Sequence, residues 1–268
     1  MRSKVHIRRA ISRRSSVLAL LLALGWARPA TAAIAFVQSA NSSNDGGCGT
    51  TLSKAFTSNT GAGNFIAVAT SFYGGTSVSS ISDTHNTYTS SGTPASFPSD
   101  GNWQMAFYYA KNIAGGAETI TITYAASTTY CGMAILEFSG VHATAPTDVY
   151  DTTGTGAGST TDWTTASFSS AVNDEVALAV SGNNNGGAGP YTAGSGYTLT
   201  DTYIGSRSSI EYKIASGALS GEVAHTTATN TVAQGWVMVA VTFRPAAGGG
   251  ATSHPCSSRR LLGVGCDQ

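Results

Sequence analysis

Four glutamates stand on or beside apolar runs of this chain: Glu118, Glu137, Glu211 and Glu222. Paired carboxylates of this kind are what a glycoside-cleaving site needs, one as acid and one as nucleophile or base. Glu137 is the strongest candidate, because it follows Met133 and Ile135 on an apolar stretch where a carboxylate must find a partner, such as Lys111. An ion pair within the fold, or a strand end in solvent, accounts for the same residue without catalysis. Glu118 and Glu222 fall at matching places in an internal repeat, which fits turn chemistry better than a duplicated active site.

The other reactive types are sparse. No G-x-S-x-G elbow occurs. His85 sits in Asp83-Thr-His-Asn86, a string that reads as a turn whose Asp and Asn bond their own backbone. A Ser–His–Asp triad would be spatial and leaves no mark in spacing. Asp148, Asp151 and Asp162 lie in or near a Thr- and Gly-rich stretch and are candidate calcium ligands. There is no EF-hand motif, and solvated loop acids explain them as well.

Binding surfaces are better supplied. Phe72-Tyr-Gly-Gly75, Phe97-Pro-Ser-Asp-Gly-Asn-Trp103 and Gly182-Asn-Asn-Asn-Gly-Gly-Ala-Gly-Pro-Tyr191 combine aromatics with amides and acids. Loops at the ends of a β-sandwich are where such folds carry recognition. Sugar rings have apolar faces and hydroxyl rims, which suits this mixture. Tyr73, Trp103, Asn184 and Tyr191 are the expected ligand contacts, unless Phe97 and Trp103 close the edge of a core.

The elements that would position these residues repeat. Phe65-Ile-Ala-Val-Ala-Thr70 returns as Glu175-Val-Ala-Leu-Ala-Val180, and Tyr130-Cys-Gly-Met-Ala-Ile-Leu-Glu-Phe138 as Gln234-Gly-Trp-Val-Met-Val-Ala-Val-Thr-Phe243. Asn86-Thr-Tyr-Thr89 returns as Gly196-Tyr-Thr-Leu199, in the same order and at an offset of roughly one hundred residues, the size of one small sandwich. Glu118-Thr-Ile-Thr-Ile-Thr-Tyr124 alternates with period two, and Trp236-Val-Met-Val-Ala-Val-Thr-Phe243 is continuous, as for a strand covered on both faces. No segment after the leader shows a capped helical period.

The expected class is therefore all-β, with two tandem Ig-like or jelly-roll-like sandwich repeats over 33–144 and 145–245, or alternatively one larger duplicated sandwich. The first repeat reads as seven strands, including Ile34–Ser39, Leu52–Thr57, Phe65–Phe72, Trp103–Lys111, Thr119–Tyr124 and Met133–Ser139. Ala246-Ala-Gly-Gly-Gly250 begins a linker and flexible tail to Gln268.

Residues 1–32 read as a secretory signal: a basic start, the apolar run Val17–Leu24, and the small-x-small site Ala30-Thr-Ala32. Seven of the fourteen basic residues precede Ala33 and none of the fourteen acidic ones does, so the remainder carries a net charge of −7. An acidic chain without a basic cluster argues against nucleic acid and anionic membranes as partners. Only 10% of residues are charged, while 41% are hydrophobic, enough for a core. The expected location is secreted, extracellular or periplasmic, and the four cysteines then meet oxidising conditions. Of the three possible connectivities, Cys48–Cys131 within repeat one and Cys256–Cys266 within the tail are expected.

Asp83-Thr-His-Asn-Thr-Tyr88, Tyr108-Tyr-Ala-Lys-Asn-Ile113 and Ile135-Leu-Glu-Phe-Ser-Gly-Val141 together resemble a loosely annotated group of secreted bacterial β-sandwich proteins, often found as repeats in large extracellular chains. The resemblance covers about 33–243 and is sharpest in repeat one. It implies an exported, all-β, non-catalytic protein, carries no functional residue, and makes Glu137 and Lys111 part of the fold's pattern. The expected function is a binding or adhesion module for extracellular polysaccharide or another cell-surface ligand. A polysaccharide hydrolase or lyase, and a structural surface protein, are the alternatives.

Overall fold

The computed structural model describes residues 33–97, 100–148, 152–156, 160–183, 188–203, 207–232 and 235–246, which belong to one compact unit. The expected leader, Asp151, Asn184, Cys256 and Cys266 lie outside the described residues.

The chain is all-β. β-Branched and aromatic residues alternate with threonine and serine, a composition that fits pleated, half-covered surfaces. Among the described residues there is no helix. The first half holds β1 (Ala35–Ala55), β2 (Phe65–Tyr73), β3 (Val78–Ser82), β4 (Thr89–Ser90), β5 (Ala95–Phe97), β6 (Asp100–Ala110) and β7 (Thr119–Ser139). The second holds β8 (Thr152–Gly156), β9 (Thr160–Thr164), β10 (Val176–Asn183), β11 (Tyr191–Ala193), β12 (Thr198–Tyr203), β13 (Ser208–Ile214), β14 (His225–Val232) and β15 (Trp236–Phe243).

β1 and β7 are longer than the sequence suggests, 21 residues each. The ladder between them continues from Asp45↔Tyr130 to Gly49↔Thr128 and Thr51↔Thr123 through a shift of register. Gly46, Gly47 and Gly49 all have positive φ there, so the strand bends instead of ending. Beyond the bend, Ile120, Ile122 and Tyr124 pack in one cluster with Met133 and Ile135 of the same strand, which a straight strand could not do. Cys48 and Cys131 are joined by a disulfide at this corner.

Strand order is the same in the two halves. The first sheet runs β1-β7-β2-β6-β4, and the five-stranded sheet of the second half runs β8-β15-β10-β13-β12. The outer parts of β1 and β7 carry β3, as β9 and β14 carry β11. What is one bent strand in the first half is therefore two strands in the second.

The result is four layers with three cores. Ile66, Val68, Phe72 and Ile135 face the outer layer of the first half. Ala177, Ala179, Met238 and Trp236 face that of the second, under Trp163 and Tyr191. Between the two large sheets, Phe65, Ala67, Leu136 and Phe138 meet Val176, Leu178, Val239 and Phe243 in a shared core. This is why β2, β10 and β15 read as unbroken apolar runs: both of their faces are covered. The two halves meet across this shared core and not only at the connecting segment.

Candidate functional site

The aromatic loops do not form the expected platform. Trp103 lies within β6 at 3% exposure, and Tyr191 begins β11 at 6%. Trp103 stacks on Tyr130 with ring centres 5.7 Å apart, and the Arg207 guanidinium covers both rings. Tyr73 is half-buried against Trp103 and Tyr130. Tyr191 packs on Trp163, and its hydroxyl receives Asn183 Nδ2 at 3.4 Å. The expectation that Trp103 and Tyr191 offer ring faces to a sugar is corrected: four layers need bulky side chains to fill their ends, and these rings are used there.

Glu137 is fully buried and is not partnered by Lys111. It accepts from Gln38 Nε2 at 2.7 Å, the Gly61 backbone N–H at 2.7 Å and Asn64 Nδ2 at 2.6 Å. Three donors satisfy the charge, so no second carboxylate or base is needed beside it. Lys111 instead donates to the Thr144 carbonyl. Glu137 pins the 60–64 loop, and that loop pins the next. Thr60 exchanges backbone bonds with Gly116, and Ile113 bonds Asn64 and Gly63 in the same way. Gly115, at φ 79°, presses on this loop so closely that a Cβ would stand 2.5 Å from the Ala62 nitrogen.

The loop so fixed forms one wall of a cleft of about 340 Å³, lined by His85, Asn86, Thr87, Thr89, Lys111, Asn112 and Ala114. The opposite wall is the turn at Asp83. Asp83 Oδ1 accepts the backbone N–H groups of His85 at 2.9 Å and Asn86 at 2.6 Å. Its Oδ2 accepts Asn86 Nδ2 and the Tyr88 hydroxyl. Burial opposes ionisation of Asp83, but these four donors outweigh it and hold the carboxyl below the usual range. Asn86 Oδ1 accepts the Ala114 N–H at 3.0 Å and ties the two walls together. Asn112 has φ 50°, an uncommon conformation for a non-glycine residue, and it occurs at the cleft.

His85 stands at the mouth. Its Nδ1 lies 3.1 Å from Glu118 Oε1 and 2.8 Å from Thr84 Oγ1. The side chain of His85 is 52% exposed, that of Glu118 not at all. Glu118 Oε2 has no partner among the described residues. A buried carboxylate on Nδ1 fixes the ring and directs Nε2 outward, as in other carboxylate–imidazole pairs. The contact spans 33 residues.

The second half has a cleft of its own, lined by residues between 213 and 222. Lys213, Ala215, Ser216, Leu219 and Glu222 line a space of about 320 Å³. Here Lys213 Nζ donates to both oxygens of Glu222, at 2.8 and 2.9 Å, so cation and carboxylate neutralise each other.

Asp148 and Asp162 have separate partners. Asp148 accepts from Arg244 and from the Ala171 N–H. Asp162 faces His225 Nε2 and Thr227 Oγ1, both at 3.3 Å. Among the described residues no three His, Cys, Asp or Glu side chains form a metal-holding group. Beside Asp148 lies Glu175, fully buried. Burial, and the negative charge of Asp148, push the Glu175 carboxyl up to about 8, against a lowering contact from Thr242. Asp148 is lowered, its bonds to Ala171 and Arg244 outweighing its own burial.

A scan against protein-family models matches none, and searches of curated proteins and of solved structures find no match.

The sequence showed His85 and Glu118 separately, one as a turn histidine and the other as a repeated turn position. The usable signal was in the repeat itself: the carboxylate recurs at Glu222, but no histidine recurs with it.

Proposed function

We propose that this chain is an exported, non-catalytic binding or adhesion module that holds extracellular polysaccharide in the cleft at His85, Thr87, Thr89, Lys111 and Asn112. The observation that carries this reading is the cleft's lining. Hydroxyl, amide, imidazole and ammonium groups share one open space, on walls locked by Asp83, Asn86 and Glu137. Convergent polar groups on a rigid frame are what orient a hydroxyl-rich ligand, since little ordering is left for binding to cost. Export is supported by the signal-like start and by the Cys48–Cys131 disulfide, which suits an oxidising compartment. The resemblance of the sequence to a secreted bacterial repeat group fits the same reading.

The test is depletion of the full chain from solution by a panel of insoluble polysaccharides. Retention by at least one polymer, lost in Thr87→Ala/Asn112→Ala, is the expected result. Retention unchanged in that variant would remove the cleft from the account.

One observation favours a second reading. An imidazole aligned by a buried carboxylate can act as a general base, so a hydrolase or lyase working on the same polymers would use His85 with Glu118. Release of reducing ends or of unsaturated sugars, abolished in His85→Ala, would establish it.

A further inference from the structure

We infer that the cleft beside His85 selects a carboxylated saccharide, a uronate-containing polymer, over neutral ones. The inference rests on the cleft being the polysaccharide site, and it names the ligand class.

Lys111 is exposed and lines the space, and one backbone carbonyl, that of Thr144, accepts from its ammonium. His85 lines it too, with Nδ1 engaged and Nε2 without a protein partner among the described residues. Two carboxylates lie behind them. Asp83 has both oxygens filled by four donors of its own turn. Glu118 is wholly buried and addresses the far side of the imidazole. Tyr88, on the same turn, spends its hydroxyl on Asp83. The groups left to meet a ligand are thus an ammonium, the imidazole Nε2, the Asn112 amide and two threonine hydroxyls. The ammonium, amide and hydroxyls can donate, the ammonium with a full positive charge, and Nε2 donates only in the doubly protonated ring.

The second half provides the contrast inside the same molecule. A cleft there also holds a lysine and a glutamate, but Lys213 is spent on Glu222 through two bonds. An anion entering there would have to displace a carboxylate already in place. In the first half the matching carboxylate, Glu118, is engaged by His85, and Lys111 has an uncharged carbonyl as its partner. The chain is otherwise acidic beyond residue 32, so an accessible ammonium is unusual on it.

The test compares the full chain on immobilised polygalacturonate, on its methyl ester, and on a neutral glucan. Polygalacturonate is expected to retain the chain about tenfold better than the ester, as one charge-assisted hydrogen bond would give. Lys111→Met should remove the preference for the acid over the ester, and His85→Gln should leave part of it. Lys213→Met, in the other half, should leave it unchanged. Near-ultraviolet circular dichroism checks that each variant keeps its packing, and the two cleft variants fail in different ways if both fold. Equal retention of acid and ester by the unaltered chain would overturn the inference while leaving the polysaccharide site standing. A preference for the acid that survives Lys111→Met would also overturn it. No retention on any polymer would end both.

Discussion

The ring of Tyr109 stands edge-on to that of Phe243, with centres 5.6 Å apart and planes at 66°. Tyr212 meets Phe138 in the same way, at 5.5 Å and 78°. Tyr109 and Tyr212 pair with β2 and β10 at Ala67 and Leu178, and Phe138 and Phe243 pair with Phe65 and Val176. Each half thus offers one tyrosine and one phenylalanine to the other in exchange, so the contact between the halves is reciprocal. It is built like a two-fold interface inside a single chain.

A shared core of this kind makes the halves unfold together. Phe243→Ala removes a fully buried ring from it and should cost about 3–5 kcal/mol. Denaturation followed by tryptophan fluorescence senses Trp103 in one half and Trp163 in the other. One transition, shifted as a whole in the variant, is expected. Two transitions, with only one of them moved, would mean that the halves are independent.

Glu137→Gln should destabilise by about 2–3 kcal/mol. A glutamine presents a donor where Gln38, Gly61 and Asn64 all present donors, so one buried N–H group loses its acceptor. Urea denaturation measures this. Because Glu137 positions the cleft wall through the 60–64 loop and does not face the cleft, polymer retention by the folded fraction should weaken rather than vanish.

Stability should decline as pH rises through neutrality. Glu175 keeps its proton in the folded chain up to about pH 8 but releases it near 4.5 when unfolded. Glu211, raised by burial to about 7 against bonds from the Gly194 and His225 backbone, behaves alike. A raised folded pKa contributes stability that is complete below the unfolded value and is lost as pH climbs to the folded one. The expected loss between about pH 4.5 and 8 is on the order of a few kcal/mol. Melting temperatures across that range should fall, and Glu175→Gln should flatten the slope. Asp83 acts in the opposite sense and only under acid, where protonation below its usual range frees the turn.

Reduction of Cys48–Cys131 should cost about 4 kcal/mol in the chain-entropy treatment, since the bridge closes a separation of 83 residues. The bridge holds the corner where β1 and β7 turn from one layer to the next. Hydrogen exchange after reduction should therefore rise first at Asn44–Thr51, while β2 stays protected.

The all-β class was legible because β2, β10 and β15 announce themselves as short apolar runs. The order of those runs repeats, and so does the strand order in the two halves. The bends were not legible. Gly46 and Gly47 look like the end of a strand, and only the ladder between β1 and β7 shows that pairing continues past them. Trp103 and Tyr191 misled for a related reason. An aromatic beside Gly, Asn and Pro resembles a loop platform, and nothing local reveals that a second sheet will cover it. The His85–Glu118 contact was hidden because its two members are far apart in the chain and each has an adequate local explanation. Glu137 was legible as a buried carboxylate, but its donors come from two other segments.

The central claim is that the space beside His85 is where ligand sits, and one measurement addresses it directly. The imidazole C–H resonances of His85, His142 and His225 can be followed by nuclear magnetic resonance while oligogalacturonate is added to the full chain. The account predicts a saturable shift of the His85 resonances, with those of His142 and His225 unmoved. Saturation without any change at His85, or shifts confined to His225, would contradict it.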